Sequence, residues 1–400
     1  MNKLIDISQS RRHFLKVGSI AFGSFLLGPL AKAGLAQSGS HSLYDQLDLL
    51  GPLMPPDANG IRLPAGFASR LVAQSAQHVL PGADYIWHGA PDGGATFATD
   101  DGGWIYVSNS EIRNHGGGAG ALRFNQHGEV TDAYAILSGT NSNCAGGKTP
   151  WNTWLSCEET PDGLVYECDP FGQQAAIVRP ALGRFKHEAV AVDPVRGHLY
   201  LTEDVPDGGF YRFTPEQVLT DLSSGLLEIA EVLRTGTRTH ITWHKVPDPT
   251  AKNTETRYQV ENASRFNGGE GIVWTDGIVY FTTKGDNRVW RHHTQNGQID
   301  TLYDLSTSST PILSGVDNIV ITASGDLLVA EDGGDMQIVL LSPAGNVIPV
   351  LQVTGQDESE ICGPAFSPNF DRLYFSSQRG PLGKHEDGRI YEVFYAGTMP

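Results

Sequence analysis

Six segments of the chain repeat one pattern, and their spacing constrains the fold more than any other feature of the sequence. Each segment has a Gly or Asp turn, an apolar strand, a small residue and then polar or acidic groups. Aligned on the last apolar residue of the strand, the segments lie 48, 46, 80, 48 and 46 residues apart, at Val107, Leu155, Leu201, Phe281, Val329 and Phe375. A regular period of this size, filled with strands and turns, is typical of a β-propeller.

The long interval is too short for two blades and indicates one blade with an insertion of about 32 residues, which we place around 214–262. The sequence therefore predicts an all-β, six-bladed propeller over residues 61–400, with an extended arm at 34–60. A high glycine content (47 residues) and few charged residues (18%) suit many short strands joined by tight turns. Strand-like segments at 67–75 and 388–396 should pair within one blade and close the ring, which removes exposed sheet edges.

The first 33 residues have the pattern of an export signal. Ser10–Lys16 forms a twin-arginine motif, an apolar run follows to about residue 30, and Ala31–Ala33 fits a signal-peptidase site. The run is too short for a comfortable membrane span, although an uncleaved anchor is the alternative. We therefore expect export by the twin-arginine machinery to the periplasm or beyond, without stable membrane association. The formal net charge of -17 disfavours nucleic acid as a partner.

Each of the six anchor residues has an upstream polar partner, 11 to 15 residues earlier. Between the two lie an apolar strand and a turn, so the start of one strand and the end of the next meet at one edge of the sheet. In a propeller these edges converge at one mouth of the central channel. The converging groups are Asp92 with Asn109 and Glu111; Cys144 with Cys157, Glu158 and Glu159; Glu188 with Glu203 and Asp204; Glu270 with Thr283; Asp317 with Glu331 and Asp332; and Cys362 with Ser377.

So many carboxylates around one narrow mouth would repel one another strongly. Buried like charges either take up protons or bind cations. Oxygen-rich sites favour Ca²⁺, and a carboxylate cluster with a thiolate also admits iron. The sequence therefore predicts a metal centre at the mouth. The alternative, acids that simply lie in solvated blade turns, fits less well with acids recurring at matched offsets in most blades.

Two cysteines and two histidines can be interpreted in more than one way. The Asp162-Gly163 pair suits a two-residue hairpin turn that would place Cys157 opposite Cys168, and a disulfide there would remove Cys157 as a ligand. Spacing alone leaves both interpretations open. His88 and His187 could orient metal ligands or serve a structural role. The sequence contains no H-E-x-x-H, P-loop or G-x-S-x-G motif, so zinc-protease, NTPase and α/β-hydrolase functions have no support.

Residues 146–159, GGKTPWNTWLSCEE, resemble the signature of PhoX-type alkaline phosphatases. Patterns similar to that family recur in order over residues 60–395, in GRFKHEAVAVDP, YLTEDVPDGGFYRF, GEGIVWTDGIVYF, DNIVITASGDLLVAEDG and FSPNFDRLYFSSQ. The resemblance implies a secreted enzyme that hydrolyses phosphate monoesters, built as a propeller with iron and calcium at the channel mouth.

The resemblance also implies which residues form the site. Cys157 resembles the iron-binding cysteine, and Glu188 and Glu270 resemble carboxylates that bind or bridge iron. The residues that resemble calcium ligands are Glu158, Glu159, Asp204, Asp317 and Glu331.

Two further residues match the family less closely. Asn109 lies where the family has an Asn-His-Glu sequence near the substrate phosphate. The family usually has a phosphate-binding arginine shortly before its Glu-Gly pair. Residues 266–269 lack one here, and Arg265 is the nearest candidate.

The leading hypothesis is therefore metal-assisted hydrolysis of small-molecule phosphate esters. One alternative is a calcium-dependent lactonase or esterase that uses Glu270, Asp317 and Asn109. Another is a non-enzymatic propeller that binds a ligand at the mouth and is stiffened by calcium. The fold alone does not separate these functions, because propellers host many activities.

Overall fold

The computed structural model describes residues 50–82 and 84–397. The predicted export signal and residues 34–49 of the predicted arm lie outside the described residues. Two strands at the start of this part are β1 (Ile61–Arg62) and β2 (Phe67–Gln74). None of the helices in the described ranges has the length and apolar character needed to cross a membrane.

Six antiparallel sheets follow one another along the chain, and each is a propeller blade. Blade 1 contains β3 (Pro91–Ala98), β4 (Trp104–Ser110), β5 (Gly117–Phe124) and β6 (Val130–Thr140), and blade 2 contains β7 (Asn143–Lys148), β8 (Trp154–Glu158), β9 (Val165–Cys168) and β10 (Ile177–Val178). Blade 3 contains β11 (His187–Asp193), β12 (His198–Glu203), β13 (Phe210–Pro215), β14 (Gly225–Thr235) and β15 (Arg238–Lys245). Blade 4 contains β16 (Gly269–Thr275), β17 (Ile278–Thr283), β18 (Arg288–His293) and β19 (Ile299–Asp304). Blade 5 contains β20 (Val316–Ile321), β21 (Leu327–Glu331), β22 (Gln337–Leu341) and β23 (Val347–Val353), and blade 6 contains β24 (Ile361–Phe366), β25 (Arg372–Ser377) and β26 (Arg389–Tyr395). Short 3₁₀ helices lie at Pro180–Leu182, Thr256–Tyr258, Lys284–Asp286 and His385–Asp387.

The ring is closed by strands from the two ends of the described chain. Strand β2 pairs with β26 from Phe67 opposite Tyr395 to Gln74 opposite Arg389, and so becomes the fourth strand of blade 6. The two-residue strand β1 pairs with β23 and extends blade 5. The predicted all-β, six-bladed propeller and its closure by the two end strands are confirmed.

The six anchor residues of the sequence repeat all lie in the second strand of their blade and are fully buried. Apolar clusters fill the spaces between neighbouring blades. One of them joins Leu155 of blade 2 to Val190 and Leu201 of blade 3. Burying a leucine or phenylalanine completely stabilises a fold by about 1.5–3 kcal/mol. The repeat is therefore a packing signal, because each blade supplies the same apolar strand to its neighbours.

Blade 3 has more chain than the others. Its fifth strand, β15, pairs with β14, and residues 246–268 then return toward the start of blade 4. In this return segment Thr256 Oγ1 donates a hydrogen bond to Arg184 O at 2.6 Å, and Phe266 forms a bridge with Gly208. The extra length of the 80-residue interval therefore includes a strand and a segment that contacts the loops beside β11 and β12.

The innermost strands β3, β7, β11, β16, β20 and β24 surround the central channel. The channel has a volume of about 450 Å³ and is lined largely by glycine, alanine and other apolar residues. Neighbouring strands approach closely where they begin. A Cβ atom added to Gly93 would lie 2.6 Å from Ala145 Cα, and one added to Gly271 would lie 2.7 Å from Asn318 Cα. Close approach at these glycines packs blade 1 against blade 2, and blade 4 against blade 5, near the starts of their first strands.

Candidate metal centre

A β-bulge interrupts the first strand of every blade near its start. In blade 3, His187 pairs with Glu203, and regular pairing resumes at Val190 opposite Leu201. Blades 1, 2, 4 and 5 are interrupted at the equivalent place, and blade 6 is interrupted one residue later, after Cys362 pairs with Ser376. A bulge re-aims a side chain, and here the residue after the first pair is directed to the channel mouth. These residues, which we call the inner ring, are Asp92, Cys144, Glu188, Glu270, Asp317 and Cys362.

A second set of side chains comes from the residue that directly follows the second strand of each blade. These residues, which we call the outer ring, are Glu111, Glu159, Asp204, Lys284, Asp332 and Gln378. The two rings are in contact. Gln378 Nε2 donates hydrogen bonds to Asp92 Oδ2 at 2.6 Å and to Glu111 Oε2 at 2.9 Å. Lys284 Nζ lies 2.8 Å from Glu270 Oε1 and 3.1 Å from Asp332 Oδ2.

Within the described residues, the rings and Glu360 form four groups of three potential ligands. In each group the three ligand atoms lie within 4.8 Å of one another, close enough for one cation to contact all three. The groups are Cys144 with Glu159 and Glu188; Glu188 with Glu270 and Asp317; Asp317 with Asp332 and Glu360; and Asp92 with Glu360 and Cys362. Neighbouring groups share Glu188, Asp317 or Glu360, so they form a continuous arc around the mouth.

Carboxylates far outnumber cations at the mouth. The carboxylates are Asp92, Glu111, Glu159, Glu188, Asp204, Glu270, Asp317, Asp332 and Glu360, and the cations in contact with them are Lys186, Lys284 and Arg379. Burial, and then the charge of Glu111, raises the pKa of Asp92 to about 6 and that of Glu159 to about 8. Burial and neighbouring carboxylates also raise the pKa values of Glu188, Glu270, Asp317 and Glu360 well above the usual range. Without further cations, the folded protein must therefore hold protons on groups that would otherwise ionise.

Two observations indicate that the residues present fit metal ions. Glu188 Oε2 is fully buried and has no hydrogen-bond partner among the described residues, while Glu188 Oε1 accepts a weak hydrogen bond from Cys144 Sγ at 3.4 Å. The Sγ atoms of Cys144 and Cys362 each lie within 4.8 Å of ligand oxygens from two carboxylates, which gives mixed sulfur and oxygen donor sets. A buried carboxylate oxygen without a partner is costly, and a bound metal satisfies it and stabilises a thiolate.

Lys186 and Lys284 each join carboxylates from two blades, whereas Arg379 pairs with a carboxylate of its own blade. Lys186 Nζ lies 2.6 Å from Glu159 Oε1 and 3.0 Å from Asp204 Oδ2. Burial opposes the ionisation of Asp204, but the hydrogen bond with Glu159 and the charge of Lys186 give it a pKa below the usual range. Arg379 Nη2 lies 2.6 Å from Glu360 Oε1. These cations offset only part of the negative charge.

Three glutamates at the last position of a second strand accept hydrogen bonds from backbone N–H groups of their own blade. Glu158, Glu203 and Glu331 each accept a hydrogen bond from the backbone N–H six residues later, at 3.2, 2.8 and 3.0 Å respectively. Each thereby fixes the loop to the third strand of its blade. Successive strand residues point to opposite sides, so Glu159, Asp204 and Asp332, which directly follow these glutamates, reach the mouth. Among the described residues, the predicted calcium ligands Glu158 and Glu331 are not part of any ligand group.

Cys157 lies in the core between blades 2 and 3. It pairs with Val165, whereas Cys168 pairs with Trp154, so the two cysteines are on opposite faces of the β8–β9 hairpin. Both thiols are free. The disulfide interpretation is therefore wrong, because the strands are joined by a six-residue loop at 159–164 rather than by a two-residue turn. Cys144 lies in a ligand group, and Cys157 is in none of the groups found in residues 50–82 and 84–397.

The carboxamide of Asn109 links blade 1 to blade 2. Its Nδ2 donates to Cys144 O at 3.1 Å and to Ala145 O at 2.7 Å. Its Oδ1 accepts hydrogen bonds from Trp154 Nε1 at 2.9 Å and Ser156 Oγ at 2.8 Å. The side chain is fully buried and fixes the bulge that carries Cys144. A direct contact between Asn109 and a substrate stays a prediction.

Arg265 is exposed in the return segment of blade 3. Its Nη1 donates to Arg257 O at 2.6 Å, and its guanidinium lies 5.2 Å from the centre of the Tyr258 ring. Its role in binding phosphate also stays a prediction. Desolvation lowers the pKa of the partly buried His88 and of the fully buried His187 to about 3. Neither belongs to a ligand group within the part of the chain that the structure describes.

The structure thus brings together five of the predicted ligands: Glu159, Glu188, Asp204, Glu270 and Asp317. The strand-start pattern also pointed to Asp92, Cys144 and Cys362, which the set implied by resemblance left out. Sequence reasoning missed Glu360, Lys186, Lys284, Gln378 and Arg379. The sequence does contain a signal for some of them. Lys186 and Glu360 lie two residues before an inner-ring residue, and Lys284 and Gln378 directly follow a second strand.

Comparison with solved structures shows where this fold has been seen. The structure of PhoX from Pseudomonas fluorescens in complex with vanadate, a transition state analogue, is 17% identical to this chain, with a TM-score of 0.72 over 86% of this chain and 97% of that one. A gluconolactonase from Xanthomonas campestris is 14% identical, with a TM-score of 0.46 over 86% and 98% of the two chains. A protein of unknown function from Bacteroides thetaiotaomicron is 11% identical, with a TM-score of 0.49 over 85% and 83%. The first likeness shows a shared fold.

Comparison of sequences identifies the family. No curated protein matches the chain. The family model described as alkaline phosphatase PhoX matches residues 92–167, 162–309 and 285–380. These ranges run from the first inner-ring residue to just beyond the last outer-ring residue. The protein therefore belongs to the PhoX family of alkaline phosphatases.

Proposed function

We propose that the protein is an exported, metal-dependent phosphatase that hydrolyses small-molecule phosphate monoesters. The observation that carries this proposal is the arc of four ligand groups at the channel mouth. Membership of the PhoX family supports it. The structural relative from Pseudomonas fluorescens, which is in complex with vanadate, a transition state analogue, supports phosphoryl chemistry on this fold.

We assign iron to the ligand group of Cys144, Glu159 and Glu188, because thiolate and carboxylate together favour a transition metal. In this assignment Cys144 takes the role that the resemblance gave to Cys157. We assign calcium to the all-oxygen group of Asp317, Asp332 and Glu360, because hard carboxylate oxygens suit Ca²⁺. Asp332 and Glu360 then replace Glu331 and Glu158 as candidate ligands.

The bound metals would supply positive charge to hold and neutralise the oxygens of a phosphate ester. The chain's own residues prepare the place for that charge. The bulges direct the inner ring to the mouth, and Asn109 fixes the bulge of Cys144. Glu158 and Glu331 hold the loops next to the outer ring. Without metals, the ring of carboxylates would repel a phosphate dianion.

Export by the twin-arginine route forms part of the proposal. The motif at Ser10–Lys16 and the cleavage pattern at Ala31–Ala33 support it. That route carries folded proteins, which fits an enzyme that acquires its metals before it crosses the membrane. The natural location would then be the periplasm or the medium, with the export machinery and a small phosphate ester as partners.

Phosphate release from a chromogenic monoester, measured with the protein as isolated and after treatment with a chelator, tests the proposal. We expect hydrolysis that is lost on chelation and returns when iron and calcium are added. Full turnover by metal-free protein would contradict metal dependence. A protein that contains calcium but no iron, and that hydrolyses lactones rather than phosphate esters, would contradict the phosphatase.

A further inference from the structure

Two lysines at the channel mouth are placed as metal ions would be. Lys284 Nζ lies 2.8 Å from Glu270 Oε1 of blade 4 and 3.1 Å from Asp332 Oδ2 of blade 5. Lys186 Nζ lies 2.6 Å from Glu159 Oε1 of blade 2 and 3.0 Å from Asp204 Oδ2 of blade 3. Each ammonium group therefore joins two carboxylates from neighbouring blades. The two lysines hold different places in the repeat: Lys186 lies two residues before an inner-ring residue, and Lys284 directly follows a second strand.

The places these two lysines take in the repeat make the arrangement unusual. Lys284 is the one cation of the outer ring, at the position that supplies Glu111, Glu159, Asp204 and Asp332 in other blades. Both lysine side chains are partly buried, with 29% and 32% of their surface exposed for Lys186 and Lys284. Fully exposed ion pairs contribute little, but a partly buried ammonium between two carboxylates offsets charge that would otherwise require a metal or a proton.

We propose that Lys186 and Lys284 are resident cations that stand in place of metal ions at the Glu159–Asp204 and Glu270–Asp332 carboxylate pairs. The inference rests on the proposed metal centre and refines its composition. Metal ions then occupy the arc of four ligand groups, while Asp204 is held by an ammonium group instead of calcium. The centre binds fewer divalent ions than its number of carboxylates suggests.

This arrangement has a consequence for metal-free protein. Two of the positive charges at the mouth are covalently attached and remain after a chelator has removed the metals. The carboxylate pairs that they join therefore stay in place, whereas the groups around Glu188 and Asp317 lose their cations. Replacing either lysine by a neutral residue should leave the carboxylate oxygens that its ammonium group contacts without a cation, and these oxygens then recruit a further divalent ion.

The test measures calcium bound per chain in the exported protein by elemental analysis after equilibration in a defined calcium buffer. The variants are Lys284→Gln and Lys186→Gln, with Lys284→Arg as a variant that keeps the charge. Lys245→Gln serves as the matched control, because Lys245 is exposed in β15 and has no ion pair within the described residues. Circular dichroism confirms that each variant is folded.

We expect each of the two glutamine variants to bind about one more calcium ion per chain than the wild type. Lys284→Arg and Lys245→Gln should match the wild type. An unchanged calcium content in both glutamine variants, with metal present in the wild type, would overturn this inference alone. A wild type that binds no metal would overturn the proposed metal centre as well, so the two failures are distinguishable.

A second measurement needs no variant. Amine-reactive labelling of wild-type protein, read by mass spectrometry, should modify Lys186 and Lys284 equally slowly with and without calcium, because resident cations stay between their carboxylates. A strong rise in labelling when calcium is added would show that metals displace the lysines. Such displacement, together with weaker binding of inorganic phosphate by Lys284→Gln at unchanged calcium content, would make Lys284 a phosphate-binding residue and would overturn the proposal.

Discussion

Replacing Cys144 and Cys157 separately by alanine should give opposite results. Cys144 is in a ligand group with Glu159 and Glu188, whereas Cys157 is completely buried among apolar residues of blades 2 and 3. Cys144→Ala should therefore damage metal binding, and Cys157→Ala should damage packing. The same chemical change is made in both variants, so the position of the thiol is the only difference.

The expected magnitudes follow from the two environments. Loss of a residue that merely supports a metal ligand already weakens binding about 10–100-fold, so removing a direct ligand should weaken iron binding by at least that factor. Removing the Cys157 sulfur, with 0% exposure, loses buried apolar surface and leaves a small cavity. We expect Cys157→Ala to lower the free energy of unfolding by about 1–2 kcal/mol. In a protein of this size, that corresponds to a fall in melting temperature of a few degrees.

Three measurements on each purified variant distinguish the two roles. Elemental analysis gives iron per chain, visible absorption reports the thiolate-to-iron charge-transfer band, and a thermal melt in chelator reports packing without metal. Cys144→Ala should lose iron and the band while its metal-free melting temperature changes little. The reasoning is refuted if Cys157→Ala loses iron and the band while Cys144→Ala keeps both.

Three further predictions follow from the two rings. Glu331 accepts hydrogen bonds from two backbone N–H groups, so Glu331→Ala should lower the free energy of unfolding by about 1–3 kcal/mol and leave the metal content normal. Asp332 belongs to a ligand group, so Asp332→Asn should lower the calcium content with little loss of stability. Elemental analysis and urea unfolding check this pair, and a loss of calcium only in the Glu331 variant would contradict it. Metal-free protein should lose stability as the pH rises from about 4 to 8, because the raised pKa values of about 6 for Asp92 and about 8 for Glu159 stabilise the fold only while these groups are protonated. The free energy of unfolding, measured across this pH range, should fall in the presence of chelator and fall much less in the presence of calcium. An equal dependence on pH in the two conditions would count against the metal centre. Asn109→Ala should reduce the iron content, because the bulge that carries Cys144 is no longer held in place. Metal loading should then raise the melting temperature of this variant by less than it raises that of the wild type. An equal rise in melting temperature would argue against this role.

The sequence predicts the propeller because each blade repeats the same packing element. An apolar second strand recurs every 46 or 48 residues, except for the 80-residue interval that holds the insertion, and all six anchors are buried between blades. The convergence of strand starts at one mouth follows from the same repeat. Closure by β2 and β26 follows from the need to remove exposed edges.

The identity of individual ligands depends on details that periodicity alone does not give. The alternation of strand side chains places Glu331 on its own loop and Asp332 at the mouth, although the two are adjacent in sequence. The bulge that carries Cys144 is held by hydrogen bonds from Asn109 of the neighbouring blade, a residue far from it in the chain. The strand-end cysteine Cys157 therefore resembles a ligand in sequence but packs in the core.

The most direct test of the central claim is anomalous diffraction from crystals of the exported, metal-loaded protein, recorded on both sides of the iron edge and at a long wavelength for calcium. We predict an iron peak at direct bonding distance from Cys144 Sγ and Glu188, and a calcium peak among Asp317, Asp332 and Glu360. A channel mouth without anomalous peaks, or an iron bound to Cys157, would contradict the account.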